Sequence, residues 1–342
     1  MTTRRTFVKQ ISAAGLLSGM PNKLFSQQNK ANDKIWAILL HLSFNFAAGI
    51  MKPKWGNGPR EEFEPEESLW NDAITRMANQ GVNMVVINLD DSVLWDSHPE
   101  ISLRNSWTPK RLHEELKKIR ALGIEPIPML NFSSTHDAWL GKYSRMLSTQ
   151  KYYDVCKDLI AEAIDIFDSP RFFHFGMDEE TISHQRRFDY VVLRQDDLWW
   201  GDLYFYIGEV VKKGVRPWVW SDYVWHHPEI FFKMMPKSVI QSNWYYGENF
   251  DLKHMDERHQ TYVNAYVDLE REGYDQIPTG SNDQNNPKSI GNTVDFCSKH
   301  IDDKRLLGFL QTLWMPTIEE FRNPILQAVD LIGEARKNFE QK

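Results

Sequence analysis

Read for the spacing of its apolar positions, the chain alternates between short, nearly continuous hydrophobic runs and longer amphipathic stretches. The runs fall at residues 35–42, 82–89, 124–131, 172–176, 217–220, 239–244, 262–267 and 306–313. Runs of this length with little polar alternation predict strands buried on both faces, as in parallel sheet. Between the second and third runs, Leu112, Leu116, Ile119 and Leu122 recur at helical spacing. Thr108 is a good N-cap there, Pro109 suits the first helical position, and Gly123 closes the segment. Similar helices are predicted over 67–79, 152–167, 203–213, 292–300 and 317–337. Strand and helix alternate about eight times, which predicts a single (β/α)8 barrel with its active site at the C-terminal ends of the strands. A doubly wound open sheet is the alternative, but no glycine-rich phosphate loop follows the first strand.

Composition narrows the partners. The chain has 342 residues, 42% hydrophobic and 25% charged, enough for one large core or two ordinary domains. No apolar run reaches membrane-spanning length. A net charge of −7 argues against a nucleic-acid partner. Arg4, Arg5, Phe7, Val8 and Lys9 precede a short apolar stretch, and this N-terminus resembles a twin-arginine export signal. The expected organisation is a signal over residues 1–28 and one catalytic domain over 33–342, in a protein exported to the periplasm or secreted. Cys156 and Cys297 have no disulfide-framework or metal-site spacing.

The candidate chemistry lies where the strands end. The segment FFHFGMDEET, residues 172–181, drives an apolar run into Asp178, Glu179 and Glu180. Glu180, third in line, is expected to face solvent. Neighbouring strand ends supply His41, Asn45, Asp90, Asp91, Trp95, Asn131, His136, Trp220, Asp222, Trp244, Tyr245, Tyr266, Asp268 and Trp314. No set with convincing metal-ligand spacing is present, and no nucleophile-elbow serine. Paired carboxylates among tryptophans point to glycoside hydrolysis, which needs an acid for the leaving oxygen and a group that stabilises an oxocarbenium-like centre. Indole walls can raise the acid's pKa by desolvation.

These residues resemble glycoside hydrolase family 20, the β-N-acetylhexosaminidases. His174–Phe175–Gly176–Met177–Asp178–Glu179 matches the family's His-x-Gly-x-Asp-Glu. Asn83, Asp91, Trp95 and Pro99 follow the order of its second-strand segment, and His136 stands near its third-strand histidine. Trp220, Trp244, Tyr266 with Asp268, and Trp314 match downstream positions. The resemblance implies that the substrate's own 2-acetamido group is the nucleophile. Glu179 would be general acid and then base, and Asp178 would orient and stabilise the acetamido group. Tyr266 would donate a hydrogen bond to its oxygen, and Trp220, Trp244 and Trp314 would wall the pocket. Asp268 would bind sugar hydroxyls, Asp91 and His136 would support Glu179, and His174 would be a pocket residue or a structural one.

Two family residues have no counterpart: an arginine after the first strand, where HLSFNFAAG stands, and a glutamate after the last, where Met315 and Pro316 follow Trp314. The catalytic domain is expected without the family's usual N-terminal accessory domain. The expected ligand is an oligosaccharide or glycoconjugate, with no cofactor and no metal. Two other readings stay open at this point. One is a glycosidase on a sugar without the acetamido group, pairing Glu179 with Asp268 or Asp222. The other is a carbohydrate-binding protein on an enzyme scaffold.

Overall fold

The first apolar run folds as strand β1 (Ile35–His41), and the parallel strands β2 (Met84–Asn88), β3 (Glu125–Met129), β4 (Phe172–His174) and β5 (Arg216–Trp220) follow. β6 (Ile240–Ser242), β7 (Thr279–Ser281) and β8 (Gly308–Thr312) complete the set. This computed structural model describes residues 34–47, 61–63, 65–185, 191–283 and 286–342, so the arginine-bearing N-terminus lies outside the described residues. The sheet runs β6-β5-β4-β3-β2-β1-β8-β7. Bridges from Gln241 to Gln276 and from Trp244 to Thr279 join its two edges, which makes the expected (β/α)8 barrel.

Each strand leads to a helix on the outside: α1 (Glu67–Gln80), α2 (Pro109–Ala121), α3 (Gln150–Ile166), α4 (Asp197–Val211), α5 (Pro228–Met234), α6 (Glu257–Arg271), α7 (Ser289–His300) and α8 (Arg322–Glu340). Strand periodicity divides the core in two. Ile35, Ala37 and Leu39 point inward with Met84, Val86, Trp218 and Trp220. Trp36, Ile38 and Leu40 point outward against the helices. Both faces are therefore apolar, as the continuous runs required. Thr108 caps α2, its side chain accepting the Arg111 N–H, with Pro109 at the first position. Among the described residues no helix is long and apolar enough to cross a membrane. Cys156 and Cys297 are buried free thiols.

One predicted strand is a helix. Residues 262–267 lie inside α6, and Asp256 caps that helix by accepting the His259 N–H at 2.9 Å. Val263, Ala265, Tyr266 and Leu269 are its buried residues, and Val263, Tyr266 and Leu269 stand three apart, so the β-branched and aromatic composition follows a helical period. The true seventh strand is the short sequence Thr279–Gly280–Ser281. A Cβ on Gly280 would sit 2.6 Å from the Cα of Ile290, so only glycine lets α7 approach this closely.

Candidate active site

The site is built on the turn that follows β4. Gly176, Met177 and Glu179 all take positive φ, at 72°, 71° and 56°. For the two non-glycine residues this conformation costs about 1–3 kcal/mol each and persists only when the surroundings enforce it. The surroundings do so through both neighbouring loops. Ser133 Oγ donates to the Asp178 carbonyl, and Thr135 Oγ1 donates to the Glu179 carbonyl at 2.9 Å. The Glu179 N–H donates to Asp222 Oδ2 at 2.9 Å. At Gly176 a Cβ would lie 2.0 Å from Asn131 Oδ1, so any side chain there would displace the residue that carries Asp178.

The two acids are held differently. Asn131 Nδ2 donates to Asp178 Oδ1 at 3.1 Å. His136 Nε2 lies 3.4 Å from Asp178 Oδ2 and 3.4 Å from Glu179 Oε2, bridging the pair. His184 Nε2 lies 3.4 Å from the other Glu179 oxygen, Oε1. Burial alone would lower the His136 pKa, but Asp178 and Glu179 outweigh it and raise it to about 10. Burial likewise pushes Glu179 up, and the hydrogen bonds from His136 and His184 reverse this, holding it below the ordinary carboxylate range. The resting proton is therefore on His136. Burial, reinforced by Asp178, pushes the Asp222 carboxyl well above its usual range. One ligand atom from each of His136, Asp178 and Glu179 lies within 4.8 Å of the others. That spacing would also let the three hold a metal ion.

Aromatic rings wall the acids. The Trp220 and Trp314 rings are 6.0 Å apart, and Trp314 Nε1 donates to Tyr246 Oη at 3.2 Å. Tyr246 stacks on Trp244 at 5.0 Å. Thr312 Oγ1 gives its one proton to the Gly280 carbonyl at 3.2 Å and lies 3.5 Å from Tyr246 Oη, where it accepts the phenol proton. Burial raises the Tyr246 pKa above the ordinary phenol value and keeps it protonated. On the β1 side Phe46 lies 5.4 Å from the His136 ring. His41 packs on Phe46 at 5.1 Å and is kept neutral by burial, its pKa lowered to about 3. Asp91 accepts from Asn45 Nδ2 at 2.7 Å, and burial raises its pKa to about 6. Asp91 Oδ1 and His136 Nδ1 are both buried without a hydrogen-bond partner, a complementary acceptor and donor. His174 Nδ1 accepts the Gly176 N–H at 3.0 Å, so this histidine, neutral because burial lowers its pKa to about 3, closes the turn.

Asp178, Glu179, His136, Trp220 and Trp314 thus converge, with Trp244 reaching the group through Tyr246 and Asp91 buried on the β1 side. Two expected members do not join them. Tyr266 is buried within α6, where its ring meets Phe296 at 6.3 Å. Asp268 pairs with Arg271 at 2.5 Å on the outer surface of the same helix. Both followed the misassigned seventh strand. Glu180 is also corrected. Its side chain is only 4% exposed because the buried Arg194 neutralises it. The residues that sequence reasoning missed are Tyr246, Asn131 as the Asp178 partner, His184 and Arg194. Tyr246 had a signal, since it lies two residues beyond Trp244 in the same strand-end segment.

No family model and no curated protein sequence matches the chain. Solved structures do. A glycoside hydrolase family 20 β-N-acetylglucosaminidase superposes with a TM-score of 0.58 at 13% identity, over 88% of this chain and 68% of that one. The exo-β-N-acetylglucosaminidase of Vibrio harveyi, in complex with N-acetylglucosamine, gives 0.59 at 14% identity, over 90% and 57%. The β-N-acetylhexosaminidase of Streptomyces coelicolor A3(2) gives 0.57 at 14%, over 88% and 64%. The chain therefore has the fold of these enzymes and spans 57% to 68% of their length.

Proposed function

We propose that this protein is a glycoside hydrolase that cleaves β-linked 2-acetamido-2-deoxy sugars by substrate-assisted, retaining catalysis. The observation that carries the reading is the Asp178–Glu179 pair on a strained turn, bridged by His136 at 3.4 Å to each acid. The fold shared with the family 20 enzymes supports it. Asp178 accepts a hydrogen bond from the acetamido N–H and stabilises the charge that develops on its nitrogen. The acetamido carbonyl oxygen attacks the anomeric carbon as Glu179 protonates the departing oxygen. Water then attacks the same carbon, giving its proton to Glu179 and reopening the ring with retained configuration. Tyr246 takes the role first assigned to Tyr266, its phenol proton turning from the long contact with Thr312 Oγ1 to the acetamido oxygen.

Glu179 rests ionised, yet the first step needs it protonated. A sugar seated over the acids removes water and raises the cost of keeping carboxylate and imidazolium apart as charges. The proton then passes from His136 Nε2 to Glu179 Oε2, and the acid forms when the leaving group is in place. On the β1 side, Phe44, Phe46 and neutral His41 stand where a charged grip on the sugar's outer edge is expected, which supports acceptance of substituted or internal sugars. The pairing of Glu179 with Asp268 loses its basis, since Asp268 is on the outside. Asp222 Oδ2 is already taken up by the Glu179 N–H at 2.9 Å, holding the turn.

The deciding experiment is hydrolysis of aryl β-N-acetylglucosaminide and β-N-acetylgalactosaminide, with an acetamido-derived thiazoline as inhibitor. Turnover that the thiazoline blocks, and that Asp178→Asn reduces about 10²–10³-fold, is the expected result. Turnover of sugars lacking the acetamido group, indifferent to the thiazoline, would refute the mechanism. Residues 1–28 belong to the proposal as an export signal, checked by N-terminal sequencing of the protein recovered outside the cytoplasm. Retention of the intact N-terminus in a cytoplasmic protein would count against export.

A further inference from the structure

Glu179 is held from two sides, and only one of them belongs to the mechanism above. His136 approaches Oε2 from the interior, its side chain 7% exposed. His184 approaches Oε1 from the rim, its side chain 36% exposed beside a Glu179 that is 28% exposed. Its ring is not free to drift. Thr181 Oγ1 lies 2.7 Å from His184 Nδ1, and the Thr181 N–H donates to the Glu179 carbonyl at 2.7 Å. One threonine therefore ties the histidine ring to the backbone of the residue it contacts. With Nδ1 on the threonine hydroxyl, Nε2 is left to meet the carboxylate.

We propose that His184 is a positioning residue for Glu179, fixing Oε1 from the solvent side so that the carboxyl presents one orientation to the leaving-group oxygen. This rests on the glycosidase reading for its meaning, but the contact itself does not. A carboxylate on a positive-φ residue has a backbone set by its loop and a side chain still able to rotate. A partner on each oxygen removes that freedom before the substrate arrives, which is how a preorganised acid avoids an orientation cost in the reaction.

The titratable surroundings can be named. Glu179 faces His136 from the loop after β3, Asp178 on its own turn, Asp222 after β5, Tyr246 after β6, and His184. His184 in turn faces Glu179, with His226 from the loop after β5 close enough to feel its charge. Of these, His136 and His184 are the two that hydrogen-bond the Glu179 side chain and lower its pKa. Removing His184 therefore makes Glu179 take up a proton at higher pH.

The test uses the full protein with His184→Ala and His184→Gln. The first readout is a ¹³C carboxyl NMR titration of Glu179, its resonance assigned by its loss in Glu179→Gln. The second is the pH profile of kcat/KM on an aryl β-N-acetylglucosaminide. In His184→Ala the Glu179 midpoint and the acidic limb should both move up by about 0.5–1 pH unit. The value of kcat should fall roughly 3–10-fold with KM little changed, the size of change that such a shift corresponds to. His184→Gln, which keeps a donor, should recover most of the loss. An Ala variant with an unchanged titration and an unchanged limb would overturn the proposal. If the parent protein turns over no acetamido sugar, the glycosidase reading fails, and the NMR titration still decides whether His184 holds Glu179.

Discussion

Glu179→Gln is expected to lower kcat/KM on aryl β-N-acetylglucosaminides by about 10²–10⁴-fold, the usual worth of a positioned general acid–base. The amide keeps the shape of the carboxyl but cannot carry the proton. The loss should depend on the leaving group. A dinitrophenolate departs with little help, so its substrate should lose far less in the first step than an alkyl or sugar leaving group. A merely structural defect would lower both alike. Removing one of the two carboxylates that raise the His136 pKa to about 10 should also bring the imidazole's titration down, which proton NMR reads directly. The sign for stability follows. A histidine raised above its ordinary 6.5 contributes stability that is complete below pH 6.5 and is lost as pH rises toward 10. The variant should lose part of that alkaline decline while keeping its fold. A variant with full activity would remove Glu179 from the chemistry.

Most of the barrel was legible because its strands are buried on both faces, so the apolar runs announce them. β7 was not, because it is three small residues, Thr279, Gly280 and Ser281, in a polar sector with Gln276 and Gln311. Close approach of α7 replaces apolar bulk there, and close approach leaves no hydrophobic signature. The stretch around Tyr262 to Val267 looked more like a strand by composition than β7 does, although its large buried residues Val263, Tyr266 and Leu269 stand three apart. That single error carried Tyr266 and Asp268 out of the site. Asp178 and Glu179 were legible as a short motif at a strand end. Of their partners, His136 was legible from the same resemblance, whereas His184, and Arg194 behind Glu180, act through distances that only the folded loops create.

Arg194→Met should destabilise the fold by about 3–5 kcal/mol, the cost of breaking a buried ion pair by removing one partner. The guanidinium is 1% exposed, between Glu180 at 4% and Asp202 at 0%. It donates to Asp202 Oδ2 at 3.1 Å, to Tyr206 Oη at 2.9 Å and to the Phe132 carbonyl at 2.6 Å, besides both oxygens of Glu180. Methionine fills much of the volume and leaves those acceptors unanswered. Glu180→Gln should be milder, since Arg194 keeps Asp202 and the amide can still accept, and the double variant should cost less than the sum. Thermal unfolding and a double-mutant cycle read all three. Activity should fall with stability for a physical reason. Met177 and Glu179 occupy backbone conformations that cost about 1–3 kcal/mol each, so the turn relaxes unless something of comparable strength holds the next residue in place. Glu180 is that residue, and Arg194 is what it is tied to. An Arg194→Met protein with unchanged melting and unchanged turnover would mean that the turn is held by Ser133, Thr135 and Asp222 alone.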